Sequence, residues 1–203
     1  KPVPVVLANT YVVTNTNASG LGSLPQAMAD ANEDSGPSTI VIDVTGTITV
    51  DESLPHIWED LTITGPGAHL LSVSGAGAYE LFMVDFDVNA EITGLTIRDG
   101  WTNTGVGPGI SNWGTLTVKD CAITNNTVVN YDGGGIFNNP NCSMTIINTT
   151  ISGNSAEMWG GGIENEGTLH IRDSAIFDNW AEAGGGGIFS LGTLTVDNTA
   201  IYD

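Results

Sequence analysis

Basic residues are the scarcest chemical class in this sequence. Lys and Arg together number 4 among 203 residues, against 23 Asp and Glu, which gives a formal net charge of −19. A surface this acidic repels phosphate backbones and anionic lipid headgroups, so we expect no binding to nucleic acid. Long hydrophobic runs are also lacking, and no segment approaches the roughly 20 apolar residues of a membrane-spanning helix. The sequence therefore predicts no membrane insertion.

Cysteine and histidine are rare as well. Cys121 comes just after one repeated segment, and Cys142 comes just before the corresponding segment of the next repeat. This separation exceeds the Cα distance of about 7 Å that a disulfide can bridge, so we expect two free thiols. His56, His69 and His170 lie far apart in the sequence and form no zinc-binding spacing.

A repeat of about 25 residues fills the C-terminal half of the chain. Copies of Gly-Thr-Leu-Thr-Val begin at Gly114 and Gly192, with variants beginning at Cys142 and Gly167. Each copy is followed by an Ala-Ile or Thr-Ile pair and, in most repeats, by Gly-Gly-Gly-Ile. One repeat therefore contains three short apolar segments separated by Gly and Asn. Segments of this length with alternating polarity are typical of β-strands rather than helices.

Three strands per repeat predict an all-β fold, a right-handed parallel β-helix with three sheets. Equivalent residues of successive turns then stack along the rod about 4.8 Å apart. The predicted core ladders are Leu95, Leu116, Met144, Leu169 and Leu194; Ile123, Ile151, Ile176 and Ile201; and Ile110, Ile136, Ile163 and Ile188.

Asparagine and glycine mark the predicted corners of the rod. Asparagine tolerates left-handed backbone and hydrogen-bonds along a ladder, while the Gly triplets are expected to supply positive φ angles. The predicted corner ladders are Asn112, Asn138 and Asn165 at one corner, and Asn126, Asn154 and Asn179 at another.

The chain is interpreted as one β-solenoid domain over residues 1–203. Residues 1–38 form an N-terminal strand and a capping helix, residues 39–93 form irregular first coils, and residues 94–203 form regular coils. Ser23-Leu-Pro-Gln26 has the form of a capping box and predicts a short helix from Leu24 to Asn32. The apolar segment Pro2 to Leu7 lies ahead of the coils and is expected to pack on its own rod or on a neighbour.

Two sets of residues resemble known proteins. Residues 12–32, 39–43 and 60–67 resemble the N-terminal part of bacterial right-handed β-helix surface proteins of the pectate-lyase-like superfamily. The Gly-Gly-Gly-Ile and Ile-x-x-Asn motifs are similar to the repeats of chlamydial polymorphic outer-membrane proteins. The resemblance implies an exported protein of adhesive or unassigned function, and it implies little about catalysis because fold does not determine function.

Acidic residues after the predicted strands are the candidate metal ligands. The sequence places Asp99, Asp120 and Asp173 in one column with Asn148 and Asn198. A basic residue directly precedes each Asp: Arg98, Lys119 and Arg172. Stacked carboxylates about 5 Å apart suit Ca²⁺, which is the one cofactor that the sequence suggests. The interleaved Asn residues favour the alternative, in which the column caps turns and no cofactor binds.

Asp85 and Asp87 flank Phe86 and are predicted to point to the same side of a strand. This spacing suits the paired carboxyl groups of a glycosidase, so the two residues are the weak catalytic candidates. Trp159 and Trp180, near predicted corners, are the glycan-binding candidates because exposed indole rings stack on sugars.

Outward Thr pairs suggest a third kind of surface. Flat two-column Thr arrays resemble ice-binding surfaces, although Thr is also a favoured residue on exposed strands. The predicted pairs are Thr47/Thr49, Thr62/Thr64, Thr115/Thr117, Ser143/Thr145, Thr168/His170 and Thr193/Thr195.

The functional expectation is a non-enzymatic, secreted or cell-surface structural or adhesive β-solenoid. Its partners are surface glycans, other cell-surface proteins, or further copies that self-associate along the rod axis into a filament. Two alternatives are a polysaccharide lyase or glycoside hydrolase that acts along one sheet, and an ice-binding protein. A first residue of Lys rather than Met is expected of a processed or excised product.

Overall fold

The computed structural model describes residues 8–202, which form a parallel β-solenoid of about seven turns with one short helix. The segment Pro2 to Leu7 lies outside the described residues. The elements are β1 Asn9–Val13, α1 Leu24–Asn32, β2 Ser38–Ile42, β3 Gly46–Thr49, β4 Leu61–Thr64, β5 Leu71–Ser74, β6 Phe82–Val84, β7 Asn89–Thr93, β8 Thr96–Arg98, β9 Trp101–Thr102, β10 Ile110–Asn112, β11 Thr115–Lys119, β12 Ala122–Thr124, β13 Thr127–Val128, β14 Ile136–Asn138, β15 Ser143–Ile147, β16 Thr150–Ser152, β17 Ser155–Ala156, β18 Ile163–Asn165, β19 Thr168–Arg172, β20 Ala175–Phe177, β21 Trp180–Ala181, β22 Ile188–Ser190, β23 Thr193–Asp197 and β24 Ala200–Tyr202.

The strands pair in parallel to form the long faces of the rod. Face 1 has the order β1-β2-β4-β7-β11-β15-β19-β23, face 2 has the order β3-β5-β8-β12-β16-β20-β24, and face 3 has the order β6-β10-β14-β18-β22. The predicted all-β fold class, consistent with a right-handed β-helix, is confirmed. One detail differs from the three predicted sheets. A fourth, narrow sheet of two-residue strands, β9-β13-β17-β21, lies between faces 2 and 3. It forms because the backbone is extended for two residues after the corner residues Asn126, Asn154 and Asn179 and at the equivalent place of the earlier turn.

Helix α1 has the bounds predicted from the sequence. Ser23 is its N-cap, and the Ser23 Oγ accepts a hydrogen bond from the Gln26 backbone N at 3.3 Å. The capping box is only half formed, because the Gln26 side chain donates to Asp30 and the Ser23 backbone N–H donates to Gly20 O instead of to Gln26. Its buried residues are Leu24, Ala27, Met28 and Ala31, and the helix contacts β1 and β2. It therefore covers the first turns of the rod, as a capping helix should.

The core is built from ladders of apolar side chains in register. Leu116, Met144, Leu169 and Leu194 align across β11, β15, β19 and β23, and the Ile ladders align on faces 2 and 3. Leu194 and Ile201 keep the register but are 37% and 48% exposed, so they are not buried core residues. Leu95 is a correction, because Ala90 of β7 occupies its predicted place beside Leu116 and Leu95 is buried between β7 and β8.

Two further expectations concern the cysteines and the membrane. Cys121 and Cys142 are free and buried, which confirms the prediction of two thiols. Burial raises the pKa of Cys121 to about 11 and also raises the pKa of Cys142, so both thiols are protonated and unreactive at neutral pH. No helix within residues 8–202 has the length and hydrophobicity needed to cross a membrane.

Candidate functional site

The two corner ladders of asparagine are buried hydrogen-bonded chains. Asn112 donates to Asn138 Oδ1 at 2.7 Å, and Asn138 donates to Asn165 Oδ1 at 2.7 Å. This ladder ends at Ser190, whose Oγ accepts from Asn165. In the second ladder, Asn126, Asn154 and Asn179 are linked in the same way at 2.9 Å. Since these side chains satisfy one another away from water, their role is structural.

The acidic column is shorter than the sequence suggested. Asp120, Asn148, Asp173 and Asn198 follow successive strands of face 1, all with left-handed backbone, and Asn148 and Asn198 donate to the preceding Asp at 2.6 and 2.7 Å. Asp99 is a correction, because it follows β8 on face 2, where it accepts from Ser74 and pairs with Arg98. The repeated Gly-Leu-Thr-Ile pattern at residues 94–97 caused the wrong alignment.

The basic residues before this column are split in the same way. Lys119 and Arg172 lie on face 1 and pair with Asp120 at 3.9 Å and Asp173 at 3.2 Å, whereas Arg98 lies on face 2. Within residues 8–202 no group of three or more His, Cys, Asp or Glu side chains has a geometry that could hold a metal ion. The alternating amide and carboxylate groups occupy left-handed turn positions and hydrogen-bond to one another between turns.

The weak catalytic candidates lie in a turn rather than a strand. β6 ends at Val84, the Asp85 carboxylate accepts from the Phe86 backbone N at 2.8 Å, and Asp87 has a φ of 62°. The predicted same-side arrangement on a strand is therefore wrong. A turn forms here because the Asp85 carboxylate accepts from the backbone N–H of the next residue and Asp87 tolerates left-handed φ.

The Thr array is interrupted on the outer surface of face 1. Glu91 and His170 stand in the same outward column as Thr62, Thr117 and Thr145. Thr47 and Thr49 belong to β3 on face 2 and are not part of this column. The array is thus neither uniform nor confined to one sheet.

The two tryptophan candidates lie in different parts of the same side of the rod. Trp180 is on the narrow sheet in β21 and is 54% exposed. Trp159 is in the loop before β18, where its ring stacks on Phe189 with centroids 4.7 Å apart.

An open groove crosses the corner between face 3 and face 1, and we call it the aromatic groove. Three successive coils of the solenoid contribute to it, through the β6–β7, β10–β11 and β14–β15 connections. Its volume is about 280 Å³. Its lining residues are Phe86, Asp87, Trp113, Gly114, Thr115, Pro140, Asn141 and Cys142.

The aromatic rings of the groove are braced from below. Phe86 is 61% exposed and packs edge-on against Trp113, with centroids 5.2 Å apart. The ring centroid of Trp113 lies 6.3 Å from that of the buried Phe137, and the Trp113 Nε1 donates to Ser111 Oγ at 3.0 Å. Because these contacts hold both rings, the groove presents a rigid apolar platform beside the polar side chains of Asp87, Thr115 and Asn141. Sequence reasoning missed Phe86 and Trp113 because residues from three turns build the groove.

A family comparison agrees with this architecture. Residues 148–166 match the model of the Chlamydia polymorphic membrane protein repeat. The chain resembles β-helix surface proteins of this kind. The match spans β16, β17 and β18, which is one passage over face 2, the narrow sheet and face 3. The polymorphic membrane protein repeat indicates a surface-associated β-solenoid. No curated protein sequence matches the chain.

One acidic side chain inside the matched polymorphic membrane protein repeat is buried. Glu164 of β18 is 3% exposed and stands on face 3 between Phe137 and Phe189, where Ser111 occupies the equivalent place two turns earlier. As a carboxylate, its Oε2 has no hydrogen-bond donor among the described residues. Burial, and then the negative charges of Asp132 and Glu166, raise the pKa of Glu164 to about 8.

Sequence reasoning missed Glu164, although the alignment contained a signal. The residue after Gly-Gly-Gly-Ile is Phe137 in one repeat and Phe189 in another, so a Glu at this position breaks an aromatic pattern. A charged residue with an aromatic residue before and after it in the column is the feature that marks a buried carboxyl group.

Proposed function

We propose that this chain is part of an exported, surface-exposed adhesive rod that binds carbohydrate in the aromatic groove. The observation that carries the proposal is the braced Phe86–Trp113 platform beside the polar side chains of Asp87, Thr115 and Asn141. The apolar face of a sugar ring stacks on aromatic rings, while its hydroxyl groups hydrogen-bond to carboxylate, amide and hydroxyl groups. Secretion or display at a cell surface is consistent with the surface-associated repeat.

Charge narrows the class of carbohydrate. Asp87 is the one charged residue among the groove residues, and the whole chain has a net charge of −19. Acidic polysaccharides would approach against this field, whereas neutral or amine-bearing sugars would not. We therefore propose neutral or amine-bearing glycans as the ligands.

Replacing Phe86 with Ala is expected to weaken binding of such a glycan about tenfold, which corresponds to about 1.4 kcal/mol. The reason is the loss of an exposed aromatic platform at a position in a turn, where the truncation leaves the core untouched. An array of neutral, amine-bearing and acidic glycans identifies ligands, and titration calorimetry then compares the variant with the unmodified protein.

Trp58→Ala is the matched control, because Trp58 is 60% exposed and lies outside the groove. We expect its dissociation constant to equal that of the unmodified protein. Trp180→Ala tests the other exposed indole in the same assay. Equal affinities for Phe86→Ala and Trp58→Ala, or a clear preference for acidic glycans, would contradict the proposal.

A further inference from the structure

Face 3 carries a carboxyl group in an environment that suits only its neutral form. The neighbours of Glu164 along the ladder are the uncharged Phe137 and Phe189. The acidic groups that face it are Asp132, in the loop before β14, and Glu166, in the turn after β18. The cations Arg98, Lys119 and Arg172 each pair with the following Asp and do not act on Glu164. Among residues 8–202, an ionised Glu164 would therefore be buried without a counter-charge, which is costly.

A proton on Glu164 resolves this conflict. A protonated Glu164 carboxyl group has a proton that it can donate to Asp132, the half-buried acidic side chain that faces it. When it is ionised, two carboxylates face each other and Oε2 has no donor. Two close carboxyl groups hold one proton more tightly than either group alone.

Asp132 also anchors the loop of the next turn. Its Oδ1 accepts from the Trp159 backbone N at 3.0 Å, and the neighbouring Gly133 N donates to Trp159 O at 2.9 Å. Trp159 stacks on Phe189, so its loop covers the outer surface of face 3 at Glu164. One carboxylate thus connects the buried carboxyl group to the covering loop.

We propose that Glu164 and Asp132 form a proton-binding site, in which one shared proton holds the loops of Asp132 and Trp159 closed over face 3. Loss of this proton places two negative charges under the loops and loosens them. The loosened state exposes Phe137 and Phe189, which are the apolar residues on either side of Glu164. The site is therefore a pH-sensitive device that is closed in acidic and neutral solution.

The direction of the pH effect follows from the two states. The pKa of Glu164 is raised to about 8 in the folded protein, from an ordinary value of 4.5. Below the ordinary value both states carry the proton, and its stabilising contribution is fully present. Between the two values only the folded state keeps the proton, so the unfolding equilibrium constant rises up to about tenfold per pH unit. Above the folded value the contribution is lost.

Glu164→Gln tests the site, because the amide keeps the shape and cannot ionise. We expect the unmodified protein to lose stability to urea steadily from pH 5 to pH 8, and we expect Glu164→Gln to lose markedly less over the same range. Glu182→Gln is the matched control, since Glu182 is exposed in the following turn and the charge change is the same. Its pH slope should equal that of the unmodified protein.

Spectroscopy detects the protonation of Glu164 and the loop motion in the folded protein, without measuring the free energy of unfolding. The infrared carbonyl band of a protonated carboxyl group in the unmodified protein should persist at pH 7 and disappear in Glu164→Gln. We also expect the Trp fluorescence of the unmodified protein to change near pH 8, as the loop of Trp159 loosens. This change should be lost in Trp159→Phe, because Trp159 is the residue that reports on the loop. Equal pH slopes for Glu164→Gln and Glu182→Gln, or no protonated band at pH 7, would overturn the proposal.

Discussion

Replacing Asn154 with Ala is expected to lower the free energy of unfolding by about 4 kcal/mol. Asn154 is 1% exposed and is the middle residue of the second asparagine ladder. Its Oδ1 accepts from the backbone N and the Nδ2 of Asn126, at 3.0 and 2.9 Å. Its Nδ2 donates to Asn179 Oδ1 and to Ile123 O, both at 2.9 Å. Alanine leaves buried partners on both neighbouring turns without these bonds.

Urea unfolding of the purified protein at pH 7 measures this effect. Asn103→Ala is the control, because Asn103 is exposed in a loop and we expect it to change stability by less than about 0.5 kcal/mol. Asn154→Asp keeps the shape but removes the donor and buries a charge, so its defect should shrink as the pH is lowered. A loss below about 1 kcal/mol for Asn154→Ala would contradict a structural role for the ladder.

Replacing Gly135 with Ala is expected to cost about 3 kcal/mol, at the upper end of the range for overpacking. A Cβ at Gly135 would lie 2.7 Å from Gly162 O and 2.9 Å from Asn154 Cγ. Gly109 and Gly162 face Asn126 and Asn179 in the same way. At Gly109, Gly135 and Gly162 a side chain is therefore excluded because a ladder amide and the backbone of the next turn occupy that space.

Gly77→Ala separates this clash from the conformational effect of glycine. Gly77 has a φ of 68° and open space around its Cα, so we expect Ala there to cost only the left-handed backbone penalty, about 1 to 2 kcal/mol. Gly135 lacks positive φ, so its larger loss would arise from packing alone. Thermal unfolding of both variants compares them, and equal losses would refute the packing explanation.

The Gly triplets show how a correct pattern received an incomplete physical explanation. The sequence prediction attributed them to positive φ angles, and Gly133 and Gly160 do have φ of 69° and 64°. The next two glycines of each triplet do not have positive φ. Gly134, Gly135, Gly161 and Gly162 are required by close backbone contacts between turns, which depend on stacking that no single repeat contains.

The register errors have a different origin. Residues 94–99 read Gly-Leu-Thr-Ile-Arg-Asp and resemble the face 1 motif Gly-Thr-Leu-Thr-Val-Lys-Asp. The true face 1 strand of that turn is β7, Asn-Ala-Glu-Ile-Thr, which lacks the Gly-Thr-Leu motif. The similarity therefore predicts face 1 for Leu95, Arg98 and Asp99. Leu95 instead lies in the connection between β7 and β8, Arg98 ends β8 on face 2, and Asp99 follows β8. Local similarity cannot distinguish two faces that both alternate apolar and polar residues.

The sequence by itself determined the parallel β-solenoid, the capping helix and the ladders of the regular repeats. These follow from a period of about 25 residues, because turns of equal length bring the same residue types into contact. The tertiary structure alone decided the burial of Glu164 and the aromatic groove. Each depends on side chains or loops from neighbouring turns, and the solvent exposure and charge environment of a residue exist only once those turns are stacked.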